Sequence, residues 1–142
     1  MSKLNREQIK NIIPHRYEML LIDEVEIISE TVAKGTVYLD DSKWFFAGHF
    51  PNEPVMPGVL QVEAAAQVGA TALLSKAENK GKIGYFTGID KVKFRKKMMP
   101  NDELHITVTF IKMKMGIGKG EVNAVNKDGD KVFSALITFT VM

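Results

Sequence analysis

Gly48 to Lys80 reads GHFPNEPVMPGVLQVEAAAQVGATALLSKAENK, and the change of character at Pro57 within it decides the fold. Up to that point prolines recur at positions 51, 54 and 57. Each fixes φ and removes a backbone donor, so this half is stiff, irregular and unable to join a sheet. Beyond it there is no proline, and Ala and Leu dominate. With Pro57 and Gly58 at its start, the pattern predicts a helix over Val59 to Lys80 with proline in its first turn. At roughly 1.5 Å per residue such a helix extends about 30 Å, the diameter of a small domain.

This helix is apolar or small nearly all round. Ala64, Ala65, Ala66, Val68, Gly69, Ala70, Thr71, Ala72, Leu73 and Leu74 leave no broad charged face before Lys76. A helix of that kind is buried, and its small side chains let other elements approach its backbone. Glu63 and Gln67, four positions apart, share a face. Two polar groups thus enter an otherwise apolar surface, and buried polar groups need partners. In the second turn the Glu63 side chain leans back towards the helix N-terminus, where free N–H groups and the macrodipole favour developing negative charge. His49 opens the proline loop. A histidine and a carboxylate flanking one rigid segment are the minimum equipment for general acid-base chemistry.

On the N-terminal side, residues 5 to 13 predict a short amphipathic helix with Ile9, Ile12 and Ile13 on one side, ended by Pro14. Met19 to Ile28 and Ala33 to Leu39 predict strands. On the C-terminal side, strands are predicted over Ile83 to Met98, Leu104 to Met113, Gly120 to Asn126 and Lys131 to Val141. Alternation is clearest in Leu104, Ile106, Val108 and Phe110, opposed by His105, Thr107 and Thr109. Asp128-Gly129 is a hairpin signal, and Pro100-Asn101-Asp102 a looser turn. One long buried helix with about six antiparallel strands is an α+β architecture. Its edge strands need cover, and dimerisation through an edge is the expected remedy.

With 142 residues and 45% hydrophobic content, the chain suits one domain, residues 1 to 142, with a full core. There is no cysteine, so disulfides and thiolate nucleophiles are excluded, and the composition fits a reducing compartment. MSKLNREQIKNII is charged and periodic, unlike a secretory signal, and no segment nears the roughly 18 apolar residues of a membrane span. The expectation is a soluble cytoplasmic protein that binds neither membrane nor nucleic acid. The formal net charge is only +2. Even so, Lys91, Lys93, Arg95, Lys96 and Lys97 form a run without acids, which fits a small acidic protein partner better than phosphate-backbone binding. Of the remaining histidines, His15 reads as a structural contact and His105 as a solvated strand residue.

GHFPNEPVMPGVLQVEAAAQ resembles the active-site segment of bacterial (3R)-3-hydroxyacyl-[acyl-carrier-protein] dehydratases of the shorter FabZ type. PHRYEMLLIDEV at Pro14 to Val25 is similar to that family's N-terminal motif, and GIDKVKFRKKMMPNDEL at Gly88 to Leu104 to its central strand and turn. Together the motifs span both halves of the chain. Glu18 and Glu24 stand where the family often has proline and arginine, and Asn101 replaces a frequent glycine. The resemblance implies a hot-dog fold, a sheet wrapped around the central helix. It also implies a homodimer with active sites at the subunit interface, commonly a trimer of dimers, where His49 of one chain meets Glu63 of the other.

The resemblance further implies dehydration of a (3R)-3-hydroxyacyl thioester, carried on the phosphopantetheine arm of acyl carrier protein, to the trans-2-enoyl product. No cofactor or metal is expected. His49 is then the base for the C2 proton, since neutral imidazole is available near neutral pH. Glu63 is the acid for the departing hydroxyl, directly or through a water, and burial on the apolar helix should favour its protonated form. The Gly58 N–H is the oxyanion donor, and Gln67 orients Glu63 or its water. Phe50, Val59, Phe86, Ile89, Met98 and Met99 are candidate walls for the acyl chain. The basic run, Lys91 to Lys97, would steer the carrier protein. Three alternatives remain: a dehydratase that also isomerises to cis-3-enoyl chains, a hot-dog thioesterase, and a non-catalytic carrier-binding module.

Overall fold

Leu104, Ile106, Val108 and Phe110 are all buried, and the residues between them are half-buried, so the alternation read from the sequence is the two-sidedness of a real strand. The computed structural model describes residues 2–142. In chain order these form β1 (Ser2–Leu4), α1 (Arg6–Lys10), β2 (Glu24–Ile27), β3 (Val32–Leu39), α2 (Gly58–Leu74), β4 (Gly84–Phe94), β5 (Asp102–Lys114), β6 (Ile117–Val125) and β7 (Lys131–Val141). The strands make one antiparallel sheet in the order β1-β2-β3-β5-β6-β7-β4. It has seven strands rather than about six, because the short β1 adds to β2 at one edge.

The sheet wraps α2, whose Ala64, Ala65, Val68 and Ala70 are buried against Ala33, Val37, Ile106, Ile137 and their neighbours. Close approach is built in from both sides. A Cβ on Gly35 of β3 would collide with the Val68 side chain, and one on Gly69 of α2 would come 2.9 Å from the Phe139 ring. At these two positions glycine sets the spacing between helix and sheet.

α1 starts with a capping box, Asn5 accepting from the Gln8 N–H at 2.9 Å and Gln8 Oε1 accepting from the Asn5 N–H at 2.9 Å. α2 begins where Pro57 and Gly58 predicted but ends at Leu74, short of the expected Lys80. The Asn79 side-chain amide donates to the Leu73 carbonyl at 2.8 Å, and the chain closes into a 3-10 turn at Ala77–Asn79. At about 1.5 Å per residue, the 17 residues of α2 span about 26 Å.

The predicted strand over Met19 to Ile28 is mostly not a strand. Tyr17–Met19 is a 3-10 turn, and only Glu24–Ile27 pairs with β3. Leu20, Leu21 and Ile22 are buried, which explains the apolar signal. Their backbone instead meets α2, because Gln67 accepts from the Leu21 N–H at 2.9 Å and donates to the Met19 carbonyl at 2.6 Å. At the far edge of the sheet, β4 leaves Tyr85, Ile89 and Phe94 exposed.

Candidate active site

The proline loop is held at its base by backbone bonds. Val55 N–H donates to the His49 carbonyl at 2.8 Å, Phe50 and Glu53 exchange bonds at 3.1 Å, and Met56 N–H reaches the Met98 carbonyl at 2.7 Å. Within that frame, His49 Nδ1 lies 3.1 Å from the Val55 carbonyl oxygen. A carbonyl only accepts, so Nδ1 carries the proton and Nε2 keeps a free lone pair. The imidazole is thus oriented as a base at Nε2. Phe50 stacks on it, with ring centroids 4.2 Å apart.

His49 opens into a cavity of about 580 Å³, lined also by Val55, Met56, Gly58, Val59, Gln61 and the Phe94–Lys97 segment. Gly58 is the first residue of α2, and its N–H has no partner among the described residues. A Cβ here would sit 2.8 Å from Phe94 Cζ, so glycine is what allows the Phe94 ring over the helix N-terminus. A free N–H at a helix start, beside a base, suits an anionic oxygen.

Glu63 faces a second hollow, of about 420 Å³, walled by Val59, Val62, Phe86, Ile89, Val92 and Phe94. Val59 and Phe94 belong to both hollows, whereas His49 lines only the first and Glu63 only the second. Gln67 donates to Glu63 Oε2 at 2.9 Å, and His15 Nε2 stands 3.4 Å from the same oxygen, an ion-pair distance. Burial alone pushes the Glu63 carboxyl up, but contact with His15 and the bond from Gln67 together hold it below the ordinary glutamate value. The expected preference for the protonated form is therefore reversed in this chain. Its apolar surroundings and Gln67 were legible, whereas the contact with His15 was not.

A FabA-like domain profile matches residues 13–136. A 3-hydroxyacyl-[acyl-carrier-protein] dehydratase FabZ from Clostridium novyi (strain NT) is 50% identical over 139 residues, covering 97% of each chain. The protein of the same name from Bacillus subtilis (strain 168) is 46% identical, covering 97% of this chain and 98% of its own. The chain belongs to the FabA-like family, as a FabZ-type member.

Among solved structures, a dehydratase heterocomplex from Xenorhabdus doucetiae superposes on this FabZ-type chain with a TM-score of 0.79 at 16% identity, covering 93% of this chain and 89% of that one. A Haemophilus influenzae thioesterase gives 0.70 at 15% identity, over 98% and 91% of the two chains. At such identities the likeness concerns the fold, which is the hot-dog fold.

The FabZ-type chain divides its basic run. Arg95, Lys96 and Lys97 rim the His49 cavity, while Lys91 and Lys93 lie on β4 away from it. Acids from other segments reach two of the five, Asp130 pairing with Lys96 at 2.8 Å and Glu53 with Lys97 at 3.0 Å. Phe86, Ile89 and Val59 wall the Glu63 hollow, but Met98 is fully buried in the core and Met99 is exposed on the surface. His105 sits between Thr36 and Glu103 on the sheet. Among the described residues, no group of three or more acidic or histidine side chains is placed to hold a metal ion, and no helix is long and apolar enough to cross a membrane.

Two residues near the site escaped the sequence reading. His15 contacts Glu63, and nothing in its local spacing connects Pro14-His15 to α2. Gln61 is buried beside the His49 cavity, its amide nitrogen donating to the Met56 carbonyl at 3.2 Å and its oxygen without a partner among the described residues. The helical periodicity places Gln61 two positions before Glu63 but does not reveal the cavity.

Proposed function

We propose that this single domain dehydrates (3R)-3-hydroxyacyl-[acyl-carrier-protein] to the trans-2-enoyl form in fatty acid biosynthesis. The observation that carries the reading is that His49, its Nδ1 held by the Val55 carbonyl, lines the same cavity as the unpaired Gly58 N–H. The identity to FabZ dehydratases over 97% of the chain supports the same substrate class.

In the reaction, His49 Nε2 takes the C2 proton, and the electron pair moves onto the thioester oxygen, where the Gly58 N–H stabilises it. As that charge returns to form the C2–C3 double bond, Glu63 gives a proton to the 3-hydroxyl, which leaves as water. The proton on His49 then returns to Glu63 through solvent, closing the cycle. Since Glu63 is mainly ionised in the resting chain, the reactive form is the minority one in which it holds the proton. The substrate arrives on phosphopantetheine, and no metal or redox cofactor enters these steps.

His49 and Glu63 face separate hollows of one chain, which supports a homodimer in which each site takes His49 from one subunit and Glu63 from the other. The exposed apolar side chains along the β4 edge support pairing there, and trimers of such dimers complete the assembly. Lys91, Lys93 and Arg95, with the partly paired Lys96 and Lys97, would steer the acidic carrier protein, a rate effect that weakens with salt. The reading places the protein in the cytoplasm, bound to neither membrane nor nucleic acid.

Incubating the purified protein with 3-hydroxyacyl-carrier substrates of several lengths, followed by mass analysis of products, tests this. Loss of one water is expected. Free acid would mean thioester hydrolysis, a cis-3 product would mean isomerisation, and no dehydration above the enzyme-free control would overturn the reading.

A further inference from the structure

His15 lies on the segment that joins α1 to β2. The Arg16 guanidinium holds the backbone leading up to it, donating to the carbonyls of Lys10 at 2.8 Å, Ile13 at 2.9 Å and His15 itself at 2.7 Å. Farther along, Gln67 ties down Met19 and Leu21. Between these two anchors the ring has little freedom, and its Nε2 faces Glu63 Oε2.

Both nitrogens of His15 constrain its chemistry. Nδ1 is buried without a hydrogen-bond partner among the described residues, so a proton there would be a buried donor with no acceptor. A proton on Nε2 instead points at a carboxylate oxygen. The tautomer with Nε2–H satisfies the pair.

Gln67 Nε2 therefore donates to Oε2 of Glu63, and His15 Nε2 stands 3.4 Å from the same oxygen, within ion-pairing reach. We propose that His15 is a positioning residue that acts with Gln67 to fix Oε2, leaving Oε1 as the oxygen that carries and delivers the proton. This rests on Glu63 being the acid proposed above. When Oε1 releases its proton to the departing hydroxyl, the new negative charge is shared with Oε2, where Gln67 and His15 already stand. The same device explains why Gln67 alone would not suffice: its amide also serves Met19, so a second donor is needed to stop the carboxylate from turning.

His15 is the one titratable group in contact with the carboxylate among the described residues. From α2 itself comes the uncharged Gln67, and β4 presents Phe86, Ile89, Val92 and Phe94 across the hollow. Changing His15 should therefore be read directly in the titration of Glu63.

The test is a carbon NMR titration of the glutamate carboxyls, with Glu63 assigned through Glu63→Gln, in the wild type, His15→Phe and His15→Gln. The phenylalanine keeps a ring and removes the donor, whereas glutamine carries an amide nitrogen at the Nε2 position. In His15→Phe the Glu63 midpoint should move up and kcat should fall about tenfold or more with little change in KM. His15→Gln should recover most of both. If phenylalanine prevents folding, His15→Asn, whose amide is too short to reach Glu63, should show the same upward movement. An unmoved Glu63 midpoint in the donor-less variant, or glutamine performing no better than phenylalanine, overturns the inference. Near-normal activity in Glu63→Gln would instead overturn the reading beneath it, leaving the titration result standing.

Discussion

His49 Nδ1 donates to the Val55 carbonyl at 3.1 Å, and this bond decides which nitrogen of the ring can act as a base. The bond spans the proline loop six positions along, so loop stiffness becomes imidazole orientation. His49→Asn keeps a short amide able to reach Val55 but has no basic nitrogen. It should lose on the order of 10²–10⁴ in kcat while thermal unfolding stays near wild type. Steady-state rates with a matched melting curve check this, and activity within a few-fold of wild type would remove His49 from the mechanism.

Gly58 and Phe94 make a second prediction. A methyl at position 58 would press on the Phe94 ring at under 3 Å, and that ring is half exposed and can give, so Gly58→Ala should cost up to about 1 kcal/mol in urea unfolding and lower kcat as the ring or the helix start shifts. Adding Phe94→Leu should restore much of the stability. If Gly58→Ala is as stable as the wild type, the contact is not limiting.

Gln67 is committed three times over: to Leu21, to Met19 and to Glu63. Gln67→Leu leaves a buried N–H and a carbonyl without partners, and each orphaned group costs about 1–3 kcal/mol. A large drop in unfolding free energy is expected from chemical denaturation, together with weaker anchoring of the segment around Met19 and Leu21, visible as faster amide exchange at Leu21.

The Glu63 carboxyl also sets a pH dependence. Its folded value lies below the ordinary one, so its stabilising contribution is full above the unfolded-state value and is lost as pH falls through the lower folded value. Glu63→Gln should therefore flatten the acid side of the stability curve, measured as urea midpoints across the carboxylate range. An acid limb as steep as in the wild type would mean that other groups control it.

Much of this was legible before the fold was known, for reasons that are local. Pro57 and Gly58 announce the start of α2, and the Leu104 to Phe110 alternation announces β5, because capping and pleating act over a few residues. The end of α2 was not legible, since it depends on Asn79 reaching back to the Leu73 carbonyl. Nor was the loss of the strand at Leu20 to Asp23, where the deciding partner, Gln67, is 46 positions from Leu21. The candidate pair His49 and Glu63 stood out through residue type and surroundings. The ionisation of Glu63 did not, because it turns on His15, a residue whose sequence context says nothing of where its ring goes.

Complementation between chains tests the central claim most directly. Chains carrying His49→Ala and chains carrying Glu63→Gln, each inactive alone, are co-expressed and the mixed assemblies purified by two tags. If each site draws His49 from one subunit and Glu63 from the other, a mixed dimer holds one intact site and one doubly disabled site. Purified mixed dimers should then regain about half of wild-type activity per dimer. Activity no higher than that of either parent would contradict the account.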